Sequence, residues 1–408
     1  MRILWIKTEL LHPVDKGGRI RSYQMLRSLM QRHHVTYVCL DDGSAASDAL
    51  TRAQEYAHEV VTVPFRPARK GTPAYLADLL LNLFSPVPYI VARFRSGALR
   101  ARINRLAATS DLVVCDFLMP SVNVADDLPV PAVLFQHNVE ALIWQRRASV
   151  PQNALQRAYM QLQWRRVRQY EAAQCRRFSH VVAVSAVDAE LMRREYGLQS
   201  LSHVETGVDF EYFAAPSGRP RSGLVFVGSM DWMPNADGIR WFAAEVFPQI
   251  RAALPEVTLT VVGREPAAAL RQLATPNSGI TVTGTVPDVR PYLERAAISV
   301  VPLRIGGGTR LKIYEAMAMG TPVVATTIGA EGLPVKNGEH LLIADSAATQ
   351  AAAVIGLLQD RERATRIAAS ALRFVRAHCS WEGVAEQFLS QCVSFGVTRT
   401  LAREDRVA

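Results

Sequence analysis

Short apolar runs alternate with helix-length segments along the whole chain. Six runs in the first half have the length and composition of buried strands: RILWIK, VTYVCL, EVVTV, DLVVCD, AVLFQ and HVVAVS. Six more follow in the second half: GLVFVG, VTLTVVG, ITVTG, ISVVP, TPVVAT and HLLIA. Strands that alternate with helices are typical of βαβ units, so the pattern predicts an α/β protein with one doubly wound parallel sheet in each half.

A stretch rich in proline, glycine and serine separates the two halves. It reads TGVDFEYFAAPSGRPRSG over residues 206–223, and its composition after the first few residues is typical of a linker. We therefore expect an N-terminal domain over residues 1–205, a linker over 206–222 and a C-terminal domain over 223–384. The final segment is predicted to form an amphipathic helix that begins after Ser380.

Composition changes this picture little. The chain has 408 residues, of which 49% are hydrophobic and 20% charged, values typical of a globular enzyme with two or three domains. Its five cysteines are scattered without metal-ligand spacing, which favours buried or free thiols in a reducing compartment. No leader peptide is predicted, and the most apolar window, residues 76–92, is too polar to span a bilayer. We expect a cytoplasmic protein.

Arginine carries the positive charge of the chain. The net charge is +9, and only five of the 46 basic residues are lysines. Such a surface suits phosphates and anionic head groups, with plain solvated arginine as the alternative, and we expect no nucleic-acid partner. Within residues 65–105 the run LADLLLNLF is flanked by arginines, which is typical of an element that docks on an anionic membrane surface. The alternative is a buried helix over residues 79–84.

Parallel sheets bind ligands at the carboxyl ends of their strands, so the residues that follow each strand carry the candidate chemistry. Gly17 and Gly18 stand where a loop enters a helix and free backbone N–H groups favour an anion, and Arg19 adds positive charge. A plain tight turn is the alternative. His137 and Asn138 directly follow the strand AVLFQ, which makes His137 a candidate catalytic group, although a lone histidine is more often structural.

Three glycines follow successive strands of the second half. Gly228, with Ser229 after it, follows the strand GLVFV, and Gly263 and Gly284 end the next two strands. Each glycine alone fits a turn. Three at one edge of a sheet favour a site where a ligand approaches the backbone.

The segment GGGTRLKIYEAMAMG predicts an anion site at a helix start. The N–H groups of Gly308 and Thr309 would point at a diphosphate, and the side chains of Arg310 and Lys312 would add charge. Glu315 lies roughly 9 Å along the helix axis from Thr309, where an attached ribose would present two hydroxyl groups. The alternative is a surface glutamate paired with Lys312.

These motifs resemble the GT-B nucleotide-sugar glycosyltransferases, specifically glycosyltransferase family four, and most of all the bacterial sugar transferases associated with exopolysaccharide assembly. The resemblance rests on PLRIGGGTRLKIYEAMAMGTPVVAT, GSMDWMPN, TGVDFEYF and HNVE. It implies two Rossmann-like domains that face a cleft, with residues 385–408 packed back on the N-terminal domain. It also implies a role in polysaccharide biosynthesis. Taken together with the membrane-docking element of residues 65–105, it leads us to expect a cytoplasmic protein that is peripheral on the inner face of the cytoplasmic membrane.

The resemblance implies donor-site roles. Glu315 matches the second glutamate of the family's Glu, seven residues, Glu signature, which holds the nucleotide ribose, and Gly307 replaces the first glutamate. The loop GSMDWMPN lacks the cations that relatives commonly carry there, so Arg310 and Lys312, with Arg304, are candidates to neutralise the diphosphate. The candidate donor-binding residues are therefore Gly17, Gly18, Arg19, Gly228, Ser229, Gly263, Gly284, Arg304, Gly308, Thr309, Arg310, Lys312 and Glu315.

In the N-terminal domain, His137 matches the histidine that lies beside the donor sugar, and Gly17 and Gly18 match the glycine pair that faces the donor phosphates. Asn138 and Glu140 are candidates for acceptor binding. The implied reaction transfers a hexosyl group from a nucleoside diphosphate sugar to a glycan or lipid-linked acceptor, with retention at the anomeric carbon.

In this mechanism His137 is catalytic together with Arg310 and Lys312, which stabilise the leaving diphosphate. The chain has no Asp-x-Asp motif, and we expect neither a metal nor another cofactor. The alternatives are a nucleotide-sugar epimerase, a catalytically silent binding protein and a dinucleotide-dependent oxidoreductase. The last is disfavoured because no GxGxxG follows a predicted strand.

Overall fold

A computed structural model describes residues 1–15, 17–148, 153–214, 220–305 and 310–404, except for the side chains of residues 147 and 395–404. The described chain divides into two units. The first comprises Met1–Glu205 together with the C-terminal segment from Trp381. The second comprises the described residues between Thr206 and Ser380.

Seven parallel strands form the sheet of the first unit. They are β1 (Arg2–Ile6), β2 (His34–Asp41), β3 (Glu59–Pro64), β4 (Leu112–Asp116), β5 (Ala132–Gln136), β6 (His180–Ala183) and β7 (Leu201–His203). Their order is β3-β2-β1-β4-β5-β6-β7, so the chain winds outward from β1 and then outward again from β4. Strand β4 is buried at every position because helices cover both faces of such a sheet.

Eight helices connect these strands. They are α1 (Gly17–Leu29), α2 (Ala49–Arg52), α3 (Pro73–Asn82), α4 (Tyr89–Ala92), α5 (Gly97–Ala107), α6 (Glu140–Ala148), α7 (Ala154–Arg177) and α8 (Ala186–Tyr196). Four of these helices begin at a residue whose side-chain oxygen accepts a backbone N–H of the first turn: Thr72, Ser96, Asn153 and Ser185. These caps explain where the four helices begin.

The second unit repeats the architecture with six parallel strands in the order β10-β9-β8-β11-β12-β13. The strands are β8 (Leu224–Val227), β9 (Leu259–Val262), β10 (Ile280–Gly284), β11 (Ile298–Val301), β12 (Val323–Ala325) and β13 (Leu342–Ile343). The helices are α9 (Met233–Trp241), α10 (Phe247–Ala253), α11 (Ala268–Arg271), α12 (Arg290–Arg295), α13 (Leu311–Ala318), α14 (Ala347–Gln359) and α15 (Arg361–His378). A π-helical segment, Phe242–Val246, joins α9 to α10.

The last helix, α16 (Trp381–Glu404), belongs to the first unit. Phe388 packs its ring 5.8 Å from that of Trp5 and 4.9 Å from that of Phe135, measured between centroids. The Gln391 side chain accepts a hydrogen bond from Ser202 at 2.7 Å and donates one to the His203 carbonyl at 3.0 Å. Aromatic packing and the bonds of the Gln391 side chain to edge strand β7 thus hold α16 on the sheet.

The predicted α/β class with two doubly wound sheets is confirmed, and all twelve predicted strands are present. Strand β7 is the addition: its three residues, LSH, are too short and too polar to stand out as an apolar run. The five cysteines are buried and free. None of the described helices is both long and apolar enough to cross a membrane.

Candidate functional site

The first unit gathers charged side chains where its strand order reverses. Strands β1 and β4 are neighbours at this switch point, and the carboxyl ends of both strands meet there. Lys7 follows β1 directly, and Asp116 is the last residue of β4. Helix α1 begins at Gly17 on the connection that leaves β1.

Asp116 is a fully buried carboxylate with several partners. Its Oδ2 atom accepts hydrogen bonds from Trp5 Nε1 at 2.8 Å, Lys7 Nζ at 2.9 Å and Ser22 Oγ at 2.5 Å. Burial alone would raise the pKa of Asp116, but the charges of Lys7 and His137 outweigh it and hold the pKa below its usual range. Asp116 is therefore an ionised anchor for the residues around it.

His137 contacts the Asp116 carboxylate. Its Nε2 atom is 2.8 Å from Oδ1 of Asp116, and its ring stacks on Phe117 at 4.0 Å between centroids. Burial lowers the pKa of His137 to about 4, with Lys7 and Arg21 acting in the same direction and Asp116 opposing them. The ring is neutral at pH 7. The nitrogen that faces the carboxylate then carries the proton, and Nδ1 is left as an acceptor.

Phe117 brings Gly18 into the same cluster. Phe117 has a φ of 81°, a left-handed conformation that costs energy for an aromatic residue and is often found at functional sites. A Cβ atom at Gly18 would lie only 2.8 Å from the Phe117 ring and 3.9 Å from Nδ1 of His137. Glycine at this position lets the first turn of α1 approach both rings.

The other predicted residues of the first unit are Arg19, which has structural partners, and Asn138 and Glu140 near the start of α6. Arg19 contacts Glu9 and Asp15 and donates to the Pro13 carbonyl, so the loop before α1 holds its guanidinium. Asn138 is partly buried, and Glu140 is buried at the start of α6.

Five residues of this cluster were not predicted as site residues: Trp5, Lys7, Ser22, Asp116 and Phe117. A signal for two of them was available, because Lys7 and Asp116 stand at the carboxyl ends of predicted strands, the rule that selected His137.

In the second unit the three predicted glycines lie side by side. The Gly228 N–H donates to the Val262 carbonyl at 2.9 Å, and the Gly263 N–H donates to the Gly284 carbonyl at 3.2 Å. A Cβ atom at Gly263 would lie 1.7 Å from the Gly228 carbonyl oxygen, so no other residue fits there without moving the backbone. The carboxyl ends of β8, β9 and β10 thus form one bare backbone edge.

Lys312 reaches this edge from the first turn of α13. Its Nζ atom donates to Asn235 Oδ1 at 2.6 Å and lies 4.7 Å from the Phe226 ring centroid. A Cβ atom at Gly228 would lie 2.8 Å from Nζ, so the ammonium takes the space beside that glycine. Burial lowers the pKa of Lys312 to about 7, with Arg310 adding to the effect and Glu315 opposing it.

The start of α13 is an electrostatically unfavourable place for this ammonium. The positive end of a helix dipole repels cations, and Arg310 directly precedes the helix. A bound anion would relieve the repulsion. The arrangement therefore favours an anion at this helix start.

Glu315 lies one turn further along α13 and is partly buried. Burial raises the pKa of Glu315 to about 7, and Lys312 opposes that shift. In the part of the chain that the structure describes, no residue hydrogen-bonds or ion-pairs with its carboxylate. The alternative of a surface pair with Lys312 is not what the structure shows, because Lys312 donates to Asn235.

The two predicted arginines next to this site have partners within the second unit. Arg304 forms two hydrogen bonds with Asp237, at 3.0 and 2.8 Å. Arg310 is 2% exposed, donates to the Ile328 carbonyl at 2.8 Å and lies 3.4 Å from Glu331. Arg310 thus contributes positive charge beside Lys312 from a fixed position.

Ser229 is hydrogen-bonded to Arg264, a cation that was not predicted to belong to the site. Its hydroxyl accepts a hydrogen bond from Arg264 Nε at 2.6 Å, and Arg264 also bonds Asp231 at 3.2 Å. Arg264 follows Gly263 directly, so its position after a strand was the available signal. The predicted contacts of Gly307, Gly308 and Thr309 lie outside the described residues.

Comparisons with known proteins identify the two halves. Residues 16–212 match the family Glycosyltransferase Family 4, and residues 221–360 match the family Glycosyl transferases group 1. The chain is 25% identical over 160 residues to an uncharacterized 44.6 kDa protein in the cps region of Klebsiella pneumoniae, covering 38% of this chain and 41% of that protein. It is 27% identical over 228 residues to the phosphatidyl-myo-inositol mannosyltransferase of Mycobacterium tuberculosis, covering 52% and 59%.

These matches span between 41% and 59% of the length of the curated relatives. Among solved structures, Anabaena Alr3699/HepE in complex with UDP and glucose is similar with a TM-score of 0.68 and 15% identity, over 97% of this chain and 100% of that one. At that identity the likeness shows the fold alone. Two glycosyltransferase family models in tandem and a shared two-sheet fold lead to one conclusion. The chain belongs to the GT-B glycosyltransferases, with a Glycosyltransferase Family 4 domain in its first half and a Glycosyl transferases group 1 domain in its second.

Proposed function

We propose that this protein is a retaining glycosyltransferase that acts without a metal. It transfers a hexosyl group from a nucleoside diphosphate sugar to a glycan or lipid-linked acceptor in the synthesis of exopolysaccharide or another cell-surface glycan. The names of the relatives support this class: one is a mannosyltransferase, one is encoded in a cps region, and one solved neighbour holds UDP and glucose.

The observation that carries the proposal is the arrangement on the first two turns of α13. The Lys312 ammonium lies beside Gly228, and the Glu315 carboxylate one turn away has no hydrogen-bond partner among the described residues. A diphosphate would satisfy the cation, and the two hydroxyls of a ribose would satisfy the carboxylate. One ligand with both groups at that separation is a nucleoside diphosphate.

Charge stabilisation explains how transfer would proceed. The leaving diphosphate gains negative charge as the glycosidic bond breaks, and Lys312, Arg310 and the start of α13 provide fixed positive potential there. His137 stays neutral at pH 7, so its role is to hydrogen-bond a sugar hydroxyl rather than to supply charge. The departing phosphate oxygen accepts the proton of the attacking hydroxyl, which favours retention without a separate base.

Incubation of the purified protein with UDP-, GDP- and ADP-sugars, with and without glycan and lipid-linked acceptors, tests the proposal. We expect nucleoside diphosphate release to require an acceptor, to persist in EDTA and to give a product with the anomeric configuration of the donor. Conversion of the donor sugar without an acceptor would show an epimerase instead. Binding without turnover would show a silent binding protein.

Glu315→Gln is expected to weaken nucleotide-sugar binding by roughly tenfold to a hundredfold, because the ribose hydroxyls lose a charged acceptor. The fold should be unaffected, since no described residue hydrogen-bonds or ion-pairs with this carboxylate. Calorimetric titration with the nucleotide identified above measures the loss. Glu362→Gln, at a highly exposed position on α15, is the matched control and should bind as wild type does. Equal affinities of the two variants would remove Glu315 from the site.

We also propose that the first unit docks on an anionic membrane surface to reach a lipid-linked acceptor. Helix α3 and the residues after it expose large apolar side chains: Leu76, Leu80, Leu81, Leu83 and Phe84, the last of which is 90% exposed. Exposed cations flank them, among them Arg66, Arg69, Lys70, Arg93 and Arg95. Apolar side chains that can insert and cations that attract anionic lipid head groups are the two components of an interfacial element.

Hydrogen bonds hold the segment that carries these exposed apolar side chains in place. Arg166 of α7 donates to the carbonyls of Asn82 and Leu83 at 2.7 and 2.6 Å, and the Asn82 side chain donates to the Val87 carbonyl at 2.9 Å. These bonds fix the end of α3 and the loop after it without covering the leucines. A buried helix over residues 79–84 is therefore not what the structure shows.

Replacement of Leu81 and Phe84 together by serine is expected to abolish flotation with anionic vesicles while leaving the melting temperature unchanged, because both side chains are mostly exposed. Wild-type protein should float with phosphatidylserine vesicles and be released by salt, since each cation contributes about 1 kcal/mol that salt screens. Val187→Ser, which changes an exposed apolar residue of α8, is the control. Equal flotation of the wild type with neutral and anionic vesicles would refute the docking proposal.

A further inference from the structure

Glu171, in the C-terminal third of α7, has a fully buried carboxylate that receives four hydrogen bonds. Oε1 accepts from Gln136 Nε2 at 3.0 Å and from the Glu140 N–H at 2.9 Å. Oε2 accepts from the Ala141 N–H at 2.9 Å and from the Tyr196 hydroxyl at 2.7 Å. An isolated buried carboxylate is costly, so four well-placed donors indicate a specific role.

Three of the four donors flank His137. Gln136 is the last residue of β5, directly before His137, and Glu140 and Ala141 are the first two residues of α6. The carboxylate therefore spans the three-residue connection from the strand to the helix. It also satisfies two N–H groups at the start of α6 that have no partner within the helix, where the helix dipole favours a negative charge.

The ring of His137 and the backbone that carries it are held by different sets of contacts. The His137 ring is held by Phe117 and Asp116, which belong to the neighbouring strand β4 and its loop, and it also contacts the Phe135 ring of β5 at 4.6 Å between centroids. Ring stacking and one polar contact fix the ring, but the backbone that carries it is fixed by the bonds to Glu171. A shift of α6 would move the His137 backbone against a ring that β4 holds in place.

We infer that Glu171 is a positioning residue that fixes His137 by accepting hydrogen bonds from both ends of the strand-to-helix connection. Glu171 touches no reacting group in this assignment and acts only through His137. The inference rests on the proposed function for its kinetic readout alone, because the position of an imidazole ring can be measured without substrate.

The pH dependence gives a distinctive signature. Burial raises the pKa of Glu171 to about 7, and the hydrogen bonds from Ala141, Tyr196 and Glu140 oppose that shift. A protonated carboxyl cannot accept from all four donors, so the hydrogen bonds that hold the connection weaken as the pH falls through about 7. The other titratable groups that face Glu171 are Asp188 and Tyr196 on α8 and Cys175 on α7.

NMR of the full-length protein with isotope-labelled histidine tests the inference. In the wild type we expect the His137 imidazole signals, assigned with a His137→Gln variant, to change through pH 7. The pKa of His137 itself is about 4, so its own titration cannot cause a change there. In Glu171→Gln the signals should shift or broaden at all pH values and lose this transition. His180, buried between Ser200 and Ser202 in the same sheet, is the internal control and should not respond.

Two further variants keep the inference testable. Tyr196→Phe removes one hydrogen bond to the carboxylate but leaves those from Gln136, Glu140 and Ala141, so His137 should keep its wild-type signals. Should Glu171→Gln fail to fold, Glu171→Asp keeps the charge but is one methylene too short for α6, and the His137 signals should shift. Wild-type His137 signals in every folded Glu171 variant would overturn the inference.

Kinetics then connect the position to turnover. With the donor identified, a folded Glu171 variant with shifted His137 signals should lose roughly tenfold or more in kcat, because a small misplacement is costly. The donor KM should change little, since the proposed nucleotide contacts lie on α13. Shifted signals with normal kcat would confirm the positioning and reject the proposed role of His137, which separates the two failures.

Discussion

Replacement of Lys312 by methionine is expected to lower turnover by roughly a hundredfold or more without lowering the stability of the free protein. Methionine keeps the length of the side chain and removes only the charge. Because the ammonium lies partly buried at the positive start of α13, with Arg310 beside it, its removal relieves repulsion in the free protein. Steady-state kinetics and thermal melting together measure the two opposite effects.

The pH dependence of donor binding identifies the charge as the cause. Burial and Arg310 lower the pKa of Lys312 to about 7, so the fraction of charged ammonium in the free protein falls as the pH rises through 7. The advantage of wild type over Lys312→Met in affinity for the nucleoside diphosphate should therefore shrink above pH 7. Well below pH 7 this difference in affinity should reach its full size, because Lys312 is then fully charged.

Lys336→Met is the matched control, because that lysine is 73% exposed and pairs with Glu339, three residues away. It should leave both turnover and the melting temperature unchanged. A lower melting temperature together with normal turnover in Lys312→Met would make Lys312 a structural lysine, held for its bond to Asn235.

The architecture could be predicted from the sequence because the central strands of a doubly wound sheet are buried on both faces. Such strands appear as continuous apolar runs, and all twelve predicted runs form strands. Strand β7 lies at the edge of its sheet and needs only three residues, among them Ser202 and His203, so it leaves no apolar run to find. Strand order is not visible in such runs.

The candidate site could be predicted only where one segment contains its chemistry. Glu315 and Lys312 are three residues apart on one helix, so helical geometry alone relates them. The bond between Lys7 and Asp116 joins residues 109 positions apart, and it exists because β1 and β4 are neighbours in the sheet. Likewise, the contact of Lys312 with Asn235 depends on how the fold places α13 beside α9, which no spacing in the sequence encodes.

The buried charge cluster of the first unit should be the most sensitive to substitution. Asp116→Asn is expected to lower the free energy of unfolding by about 3–5 kcal/mol, the usual cost when a buried ion pair loses one partner. Lys7 is only 3% exposed, and the asparagine would leave its ammonium without a counter-charge. Urea denaturation measures the loss. Adding Lys7→Met to the asparagine variant should recover part of it, because the uncompensated charge is then gone.

The control and the pH dependence separate a buried ion pair from ordinary packing. Asp111→Asn changes an exposed carboxylate directly before β4, which accepts the Arg2 N–H at 2.7 Å, and should cost far less. Burial alone would raise the pKa of Asp116, but Lys7 and His137 hold it below its usual range, so its contribution is complete above about pH 4 and is lost as the pH falls further. The difference between wild type and Asp116→Asn should therefore be constant from about pH 8 to pH 5 and narrow in acid. Equal losses in the two asparagine variants, or a difference that does not change with pH, would mean that Asp116 acts through its shape and not through its charge.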